Sequence, residues 1–264
     1  MKYTYEEMAK MIDHSLLNPT LMDKELDNGC KLAAEYDVAS VCIKSYYVAR
    51  AAELLKGTGV KVGGVVGFPH GNSATEVKRY ETQLACKAGA VEIDMVINIG
   101  KALSGDWAYI EHDIRSVCEE AHKHGAKVKV IFENDYLANG GAGLSGDDLK
   151  RCLCRISEQA GADWVKTSTG YSFIKGPDGK FISTGATEPD LKLMRESVSA
   201  KVQVKAAGGV RNLDGLILVR DLGGSRCGTA ATKAILDEYR RRAEAEAAGT
   251  ADQPRKGVLG KGGY

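Results

Sequence analysis

Two lysines in short apolar segments are the residues of this sequence best suited to chemistry. Lys166 and Lys205 each follow a valine in a run of β-forming residues, so both amines are expected to be buried. A lysine that gives up its proton is a nucleophile that attacks carbonyl groups and forms Schiff bases. The alternative is that both lysines form structural ion pairs, with Asp94 and Glu133 as the partners.

A second cation near the nucleophile provides a physical route to the unprotonated amine. Free lysine has a pKa of about 10.4 and is almost wholly protonated at neutral pH. A neighbouring ammonium about 6 Å away, at an effective dielectric of about 20, disfavours the charged form by roughly 2.8 kcal/mol, or about two pKa units. Burial acts in the same direction. A carboxylate such as Asp94 opposes part of this shift, but it also lets a lysine pass protons during enamine formation.

Eight repeats of a strand followed by a helix must position these residues. The predicted strands are 12–16, 39–43, 60–66, 91–98, 128–133, 164–168, 202–206 and 225–227. The predicted helices are 22–36, 46–56, 73–88, 107–124, 147–160, 189–199, 213–221 and 230–247. Eight such units in 264 residues favour a single-domain α/β fold, the (β/α)8 TIM barrel, over a doubly wound open sheet.

Several predicted strands have one polar face. In 91–98, Glu92 and Asp94 alternate with apolar residues, and in 128–133, Lys129 and Glu133 do the same. A buried parallel strand is normally apolar on both faces. We therefore expect the polar face to point into the barrel, with its chemistry at the carboxyl ends of the strands.

The composition narrows the partners and the setting. The chain has 36 lysines and arginines and 35 aspartates and glutamates. This near balance gives no net positive electrostatic field that would attract nucleic acid or an acidic membrane surface. Seven cysteines, an odd number, are typical of free thiols in a reducing compartment. The sequence shows neither a signal peptide nor a membrane span. We expect a soluble cytoplasmic protein with a small-molecule partner, and the sequence leaves a homodimer open.

Three segments that contain these residues resemble the signature motifs of the deoxyribose-phosphate aldolase family. They are EIDMVIN at 92–98, VKTSTGY at 165–171 and VKAAGGVR at 204–211. Shorter matches, IDHSLL, VCI, GFPHGN and the KVIFE run that ends at Glu133, extend the similarity over most of the chain to about residue 231. The resemblance implies a class I aldolase, a lyase that reversibly cleaves 2-deoxyribose 5-phosphate to glyceraldehyde 3-phosphate and acetaldehyde. It implies no metal and no cofactor, because the iminium itself withdraws electrons.

The resemblance also implies a role for each matching residue. Lys166 forms the Schiff base, Lys205 lowers the pKa of Lys166, and Asp94 relays protons with Lys205. A second group holds the substrate hydroxyls, the proton network or the pocket wall: Asp13, Cys42, Lys129 and Thr169. For Cys42, a role as a small core residue is the alternative.

Backbone amides at glycine-rich strand ends are expected to bind the phosphate of the sugar. The positions concerned are Gly170, Tyr171, Gly208, Gly209, Ala230 and Ala231. Family members often carry a serine, sometimes two, after the last strand, whereas this sequence has the two alanines. The departure makes an unphosphorylated aldehyde an alternative substrate, unless Thr229 or Thr232 replaces the missing hydroxyls.

Two segments on the catalytic face depart from short barrel connections. Residues 173–182 carry turn chemistry between apolar flanks and predict a β-hairpin, which either roofs the site or extends into solvent. Residues 134–146 form a longer loop than we expect after the fifth strand.

The chain is predicted to divide into a barrel domain, 1–248, and a flexible tail, 249–264, that is rich in glycine and charge. Some members of the family end in a tyrosine that visits the active site, which implies a catalytic proton-transfer role for Tyr264; a disordered end is the alternative. A catalytically silent barrel with a binding role is a further alternative for the whole chain. The presence of Asp94, Lys166 and Lys205 argues against it.

Overall fold

Eight parallel strands close into a barrel, as predicted, in the computed structural model, which describes residues 1–176, 178–250 and 257–259. The ten strands in chain order are β1 Ile12–Leu16, β2 Ser40–Ile43, β3 Lys61–Val66, β4 Glu92–Val96, β5 Lys127–Ile131, β6 Trp164–Lys166, β7 Ile174–Lys175, β8 Phe181–Ile182, β9 Gln203–Ala207 and β10 Arg226–Thr229. Around the barrel the order is β1, β10, β9, β6, β5, β4, β3 and β2, which pairs with β1 again.

Helices follow the barrel strands and cover the barrel. Their bounds are α1 Tyr5–Ala9, α2 Asp23–Glu35, α3 Val48–Leu54, α4 Thr75–Lys87, α5 Ile99–Leu103, α6 Trp107–Lys123, α7 Asn134–Leu137, α8 Gly146–Gln159, α9 Glu188–Glu196, α10 Leu213–Asp221 and α11 Thr232–Ala247, with a 3-10 turn at Ser45–Tyr47. The eight predicted helices are therefore confirmed to within a few residues. The sequence missed α1, α5 and α7, because four or five residues are too few to show a helical period.

The apolar core lies between the strands and the helices. On β4, Ile93 and Met95 point outward into this layer and are fully buried, as are Ile114 and Val117 on the inner face of α6. The intervening residues of the strands point into the barrel, as the alternation predicted. The outer layer thus holds the fold together while the interior is left to polar side chains.

The hairpin predicted at 173–182 is present as the antiparallel pair β7 and β8. The rings of Phe173 and Phe181 meet edge to face with centroids 6.4 Å apart, yet 58% and 69% of these residues remain exposed. This exposure favours a hairpin that extends into solvent. Asp135 fastens its base, because the Asp135 carboxylate accepts hydrogen bonds from the Ser172 hydroxyl and from the Thr184 backbone N–H.

The described part of the C-terminal segment, 257–259, runs along the first turns of α10. A Cβ on Gly257 would clash with the backbone oxygen of Asp214, and Leu259 packs against the core. Elsewhere the described residues contain no helix long and apolar enough to cross a membrane. All seven cysteines are free thiols.

Candidate active site

A buried cluster of seven charged side chains fills the interior of the barrel. Each residue lies on an inward-facing position of a strand, and each is 7% exposed or less: Asp13, Glu92, Asp94, Lys129, Lys166, Lys205 and Arg226. The strand register sets Lys166 of β6 directly beside Lys205 of β9, and Asp94 of β4 beside Lys129 of β5. The fold thereby brings together residues that are far apart in sequence.

Asp94 is the centre of this cluster. Its Oδ2 atom accepts hydrogen bonds from Lys166 Nζ at 2.7 Å and from Lys205 Nζ at 2.6 Å. Its Oδ1 atom accepts one from Lys129 Nζ at 3.0 Å. One carboxylate therefore links all three lysines, and a proton on Lys205 is one oxygen atom away from the amine of Lys166.

The remaining carboxylates of the cluster, Glu92 and Asp13, form close ion pairs. Glu92 accepts from Lys129 Nζ at 2.5 Å and from Arg226 Nη2 at 2.7 Å. Asp13 lies 2.6 Å from Lys205 Nζ and 3.2 Å from Lys129 Nζ, and it also contacts Arg226. Lys129 thus donates hydrogen bonds to Glu92 and Asp94 and lies within ion-pair distance of a third carboxylate, Asp13. This arrangement favours support of the cluster, rather than contact with substrate, as the function of Lys129.

The count of charges favours a neutral amine on Lys166. The cluster holds three carboxylates, and three cations besides Lys166 already balance them. A proton on Lys166 would leave an unbalanced positive charge among buried side chains, which is costly. Burial lowers the pKa of Lys166, the Asp94 carboxylate opposes this effect, and the Lys205 ammonium adds to it, so the pKa lies below its ordinary value.

Lys205 behaves in the opposite way. Although burial lowers its pKa, the carboxylates of Asp13 and Asp94 raise it well above the ordinary value for lysine. These surroundings favour a charged Lys205 and a neutral Lys166. From the sequence, the neighbouring ammonium was expected to be the main cause of the lowered pKa of Lys166. In the structure burial is the larger cause.

A small apolar cluster, separate from the main core, adjoins the charged side chains. It contains Leu17, Cys42 and Val65, with Phe68 and Tyr171 packed against it. The rings of Phe68 and Tyr171 meet edge to face with centroids 5.7 Å apart. Burial raises the pKa of the Cys42 thiol, which favours its neutral form. Cys42 and Tyr171, which were expected in the site, thus share one surface.

Thr169 and Glu133 form a pair that the sequence did not predict. Glu133 accepts the Thr169 backbone N–H at 3.1 Å and also contacts the Thr169 hydroxyl. Of the two ion-pair partners considered for Lys166 and Lys205, the structure shows Asp94 in contact with both lysines, and the pairing with Glu133 is wrong. Burial raises the pKa of Glu133 to about 7.

The glycines expected at the strand ends allow close backbone contact. Gly208 and Gly209 have positive φ angles of 81° and 83°. A Cβ on Gly208 would lie 2.8 Å from the Cα atom of Gly185 and 3.7 Å from that of Gly170, so the loops after β6 and β9 meet there. Only glycine allows both the conformation and the approach.

A cavity of about 280 Å³ lies between the ends of β9 and β10, at the start of α11. It is lined by Gly209, Val210, Arg211, Gly228, Thr229, Ala230 and Ala231. The Thr229 hydroxyl donates to the Val210 backbone oxygen at 2.7 Å, so its one proton is already used. Thr232 is fully buried, and its hydroxyl lies 2.9 Å from His14 Nδ1. Both threonine hydroxyls are thus engaged with other parts of the barrel.

Two cluster members were not assigned a role from the sequence. Glu92 was recognised on the polar face of its strand, and its burial could have suggested a buried partner. Arg226 was missed because the predicted strand 225–227 is too short to show alternation. Tyr264 lies outside the described residues. Within the described residues no group of three or more His, Cys, Asp or Glu side chains is arranged to hold a metal ion.

Comparison with known proteins gives a consistent answer. The model of the DeoC/LacD family aldolases matches residues 7–221. A deoxyribose-phosphate aldolase of Rhodopirellula baltica is 48% identical over 90% of this chain and 92% of its own length. One from Aciduliprofundum boonei is 42% identical over 88% and 96%. The solved structure of the tetrameric deoxyribose phosphate aldolase from Aeropyrum pernix superposes with a TM-score of 0.77 at 28% identity, covering 90% of this chain and 92% of that one.

The closed parallel barrel with its interior lysines defines an aldolase of the TIM-barrel class, and aldolases are lyases. The chain belongs to the DeoC/LacD family of aldolases. The family, the fold and the enzyme class predicted from the sequence are therefore confirmed.

Proposed function

We propose that this protein is a 2-deoxyribose-5-phosphate aldolase that works through a Schiff base on Lys166. The observation that carries the proposal is the contact of Lys166 and Lys205 with one oxygen of Asp94. It supports an unprotonated nucleophile next to a protonated acid. The identity of 42–48% to relatives named for this activity supports the same substrate.

The chemistry of cleavage follows from these roles. The Lys166 amine attacks the C1 aldehyde of the open-chain sugar, and loss of water gives an iminium. The C2–C3 bond breaks as the C3 hydroxyl loses its proton, which releases glyceraldehyde 3-phosphate and leaves an enamine. Protonation of the enamine carbon and hydrolysis release acetaldehyde and restore Lys166. The Lys205–Asp94 pair is suited to move the protons, because Asp94 Oδ2 contacts the Lys166 amine at 2.7 Å and the Lys205 ammonium at 2.6 Å.

The cavity between β9 and β10 is the proposed position of the phosphate. It opens at the start of α11, a helix of 16 residues whose first N–H groups are free to bind an anion. For Gly170, Tyr171 and Gly208, which do not line this cavity, a contact with the phosphate stays a prediction from the sequence. The proposal for Asp13 and Thr169 is that they hold the substrate hydroxyls or the proton network. A cytoplasmic setting and a homodimer remain predictions from the sequence.

A second candidate is a Schiff-base aldolase that prefers an unphosphorylated aldehyde. The observation in its favour is the same cavity, where Ala230 and Ala231 offer no hydroxyl and Thr229 has no donor left. The two candidates differ in one measurement, the specificity constant for cleavage of 2-deoxyribose 5-phosphate relative to 2-deoxyribose. A large preference for the phosphorylated sugar supports the first candidate, and equal constants support the second.

A further inference from the structure

Glu133 has an unusual backbone for its position. It follows β5 with φ 57° and ψ 62°, in the left-handed region that residues other than glycine seldom adopt. Such conformations persist where the surroundings impose them, and they cluster at functional sites. With this conformation the Glu133 side chain points toward the loop that follows β6. Its carboxylate contacts Thr169 there, three residues after Lys166 in the chain.

The contacts of Thr169 fix the direction of its hydroxyl proton. A threonine hydroxyl has one proton and two lone pairs. The proton is donated to Glu133, and one lone pair accepts the Tyr171 backbone N–H at 2.9 Å. One lone pair remains, so a group that meets this oxygen from the substrate must itself donate a hydrogen bond.

We propose that Glu133 is a positioning residue that makes the Thr169 hydroxyl an acceptor for the C4 hydroxyl of the sugar. This is the one sugar hydroxyl that does not react during cleavage. The inference rests on the proposed function. A hydroxyl can donate to Thr169, whereas a phosphate oxygen cannot. The Glu133–Thr169 pair therefore selects the polyol part of the substrate and directs the phosphate elsewhere, toward the start of α11.

The ionisation of Glu133 is expected to change the same contact between Thr169 and the substrate. Burial raises the pKa of Glu133 to about 7; hydrogen bonds from Thr169 oppose this effect, the Asp135 carboxylate adds to it, and a positive charge on Lys166 would oppose it. Above this pH the carboxylate only accepts, and Thr169 must donate to it. Below it the protonated carboxyl can donate to Thr169, which frees the Thr169 proton to point at the substrate.

The test compares cleavage of 2-deoxyribose 5-phosphate with that of its 4-deoxy-4-fluoro analogue, since fluorine can accept but cannot donate. The readout is the ratio of the two kcat/KM values, which cancels steps common to both substrates, including the titration of Lys166.

In Glu133→Gln, the side-chain oxygen of the glutamine still accepts the hydrogen bond from the Thr169 backbone N–H. The side-chain NH2 group of the glutamine, unlike a carboxylate, donates to the Thr169 hydroxyl. We expect the preference for the hydroxyl to fall by about 5-fold or more, and Thr169→Val to lower it similarly. Glu111→Gln, the same change at a surface ion pair, should leave it unchanged.

In the wild type, the preference should also decline as the pH falls through 7, and it should be independent of pH in Glu133→Gln. A Glu133→Gln enzyme that loses activity on both substrates equally, with the wild-type ratio, would show a merely structural role and overturn the proposal. If that variant does not fold, an unchanged ratio in Thr169→Val or a pH-independent ratio in the wild type overturns it. Failure of the proposed function is distinct, because the wild type would then cleave neither sugar.

Discussion

Lys166 and Lys205 contact the same oxygen atom, Oδ2 of Asp94, at 2.7 and 2.6 Å. They have opposite electrostatic surroundings. Lys205 has a second carboxylate, Asp13, at 2.6 Å, whereas Asp94 is the only carboxylate within ion-pair distance of Lys166 in the described part of the chain. These surroundings lower the pKa of Lys166 and raise that of Lys205, which favours the division into a neutral and a charged amine that the proposed Schiff-base chemistry requires.

Lys205→Leu should lower kcat by about 100- to 10,000-fold, the usual range for loss of an acid–base group. The substitution removes the ammonium that helps to lower the pKa of Lys166 and leaves Asp94 to stabilise the protonated nucleophile. The acidic limb of the pH–rate profile should therefore move to higher pH. The profile of the purified variant measures this, and near-normal turnover with an unmoved limb would contradict the division of roles.

Arg226→Met should destabilise the fold by about 3–5 kcal/mol. The substitution removes the cation that pairs with Glu92 and Asp13 and so leaves one buried negative charge uncompensated. The matched control is Arg115→Met, which removes a half-exposed ion pair with Glu111 and should change the free energy of unfolding by about 0–1 kcal/mol. Urea unfolding measures both. Equal losses in the two variants would show that the interior cluster does not depend on Arg226.

Ala230→Ser should raise the preference for 2-deoxyribose 5-phosphate over 2-deoxyribose by about 10- to 100-fold, the value of one hydrogen bond to a charged group. The hydroxyl would enter the cavity at the start of α11, where Thr229 cannot donate. Ala247→Ser, at the other end of the same helix, is the control. An unchanged ratio in Ala230→Ser would indicate that backbone amides already bind the phosphate fully.

Tyr264→Phe should slow the exchange of acetaldehyde methyl protons with solvent by about 100-fold, with Schiff-base formation intact, if the phenol passes protons to the enamine carbon. Leu259 packs against the core, and five extended residues span up to about 16–18 Å. Proton exchange followed by NMR measures the effect. If deletion of 249–264 leaves the exchange rate unchanged, the tail has no part in this step.

The sequence predicted the barrel and its charged interior because both depend on local alternation. Asp94 and Lys129 alternate with apolar residues in strands long enough to show it. Arg226 was missed in a strand of four residues. The partner of Glu133 was misassigned because a left-handed turn at a glutamate cannot be predicted from its residue type.

The orientation of the threonine hydroxyl groups also could not be predicted from the sequence. Thr229 and Thr232 stand next to the two alanines in the chain and looked able to replace serine. Their hydroxyls instead bond to Val210 and lie against His14, on neighbouring parts of the barrel. These contacts depend on tertiary packing, and no spacing in the sequence encodes them.

The position of the covalent adduct tests the central claim most directly. The protein is incubated with acetaldehyde and borohydride, digested, and analysed by peptide mass. The account predicts a reduced two-carbon adduct on Lys166, lost in Lys166→Arg and retained when the exposed Lys192 is changed to arginine. An adduct on another lysine with Lys166 unmodified would contradict the account.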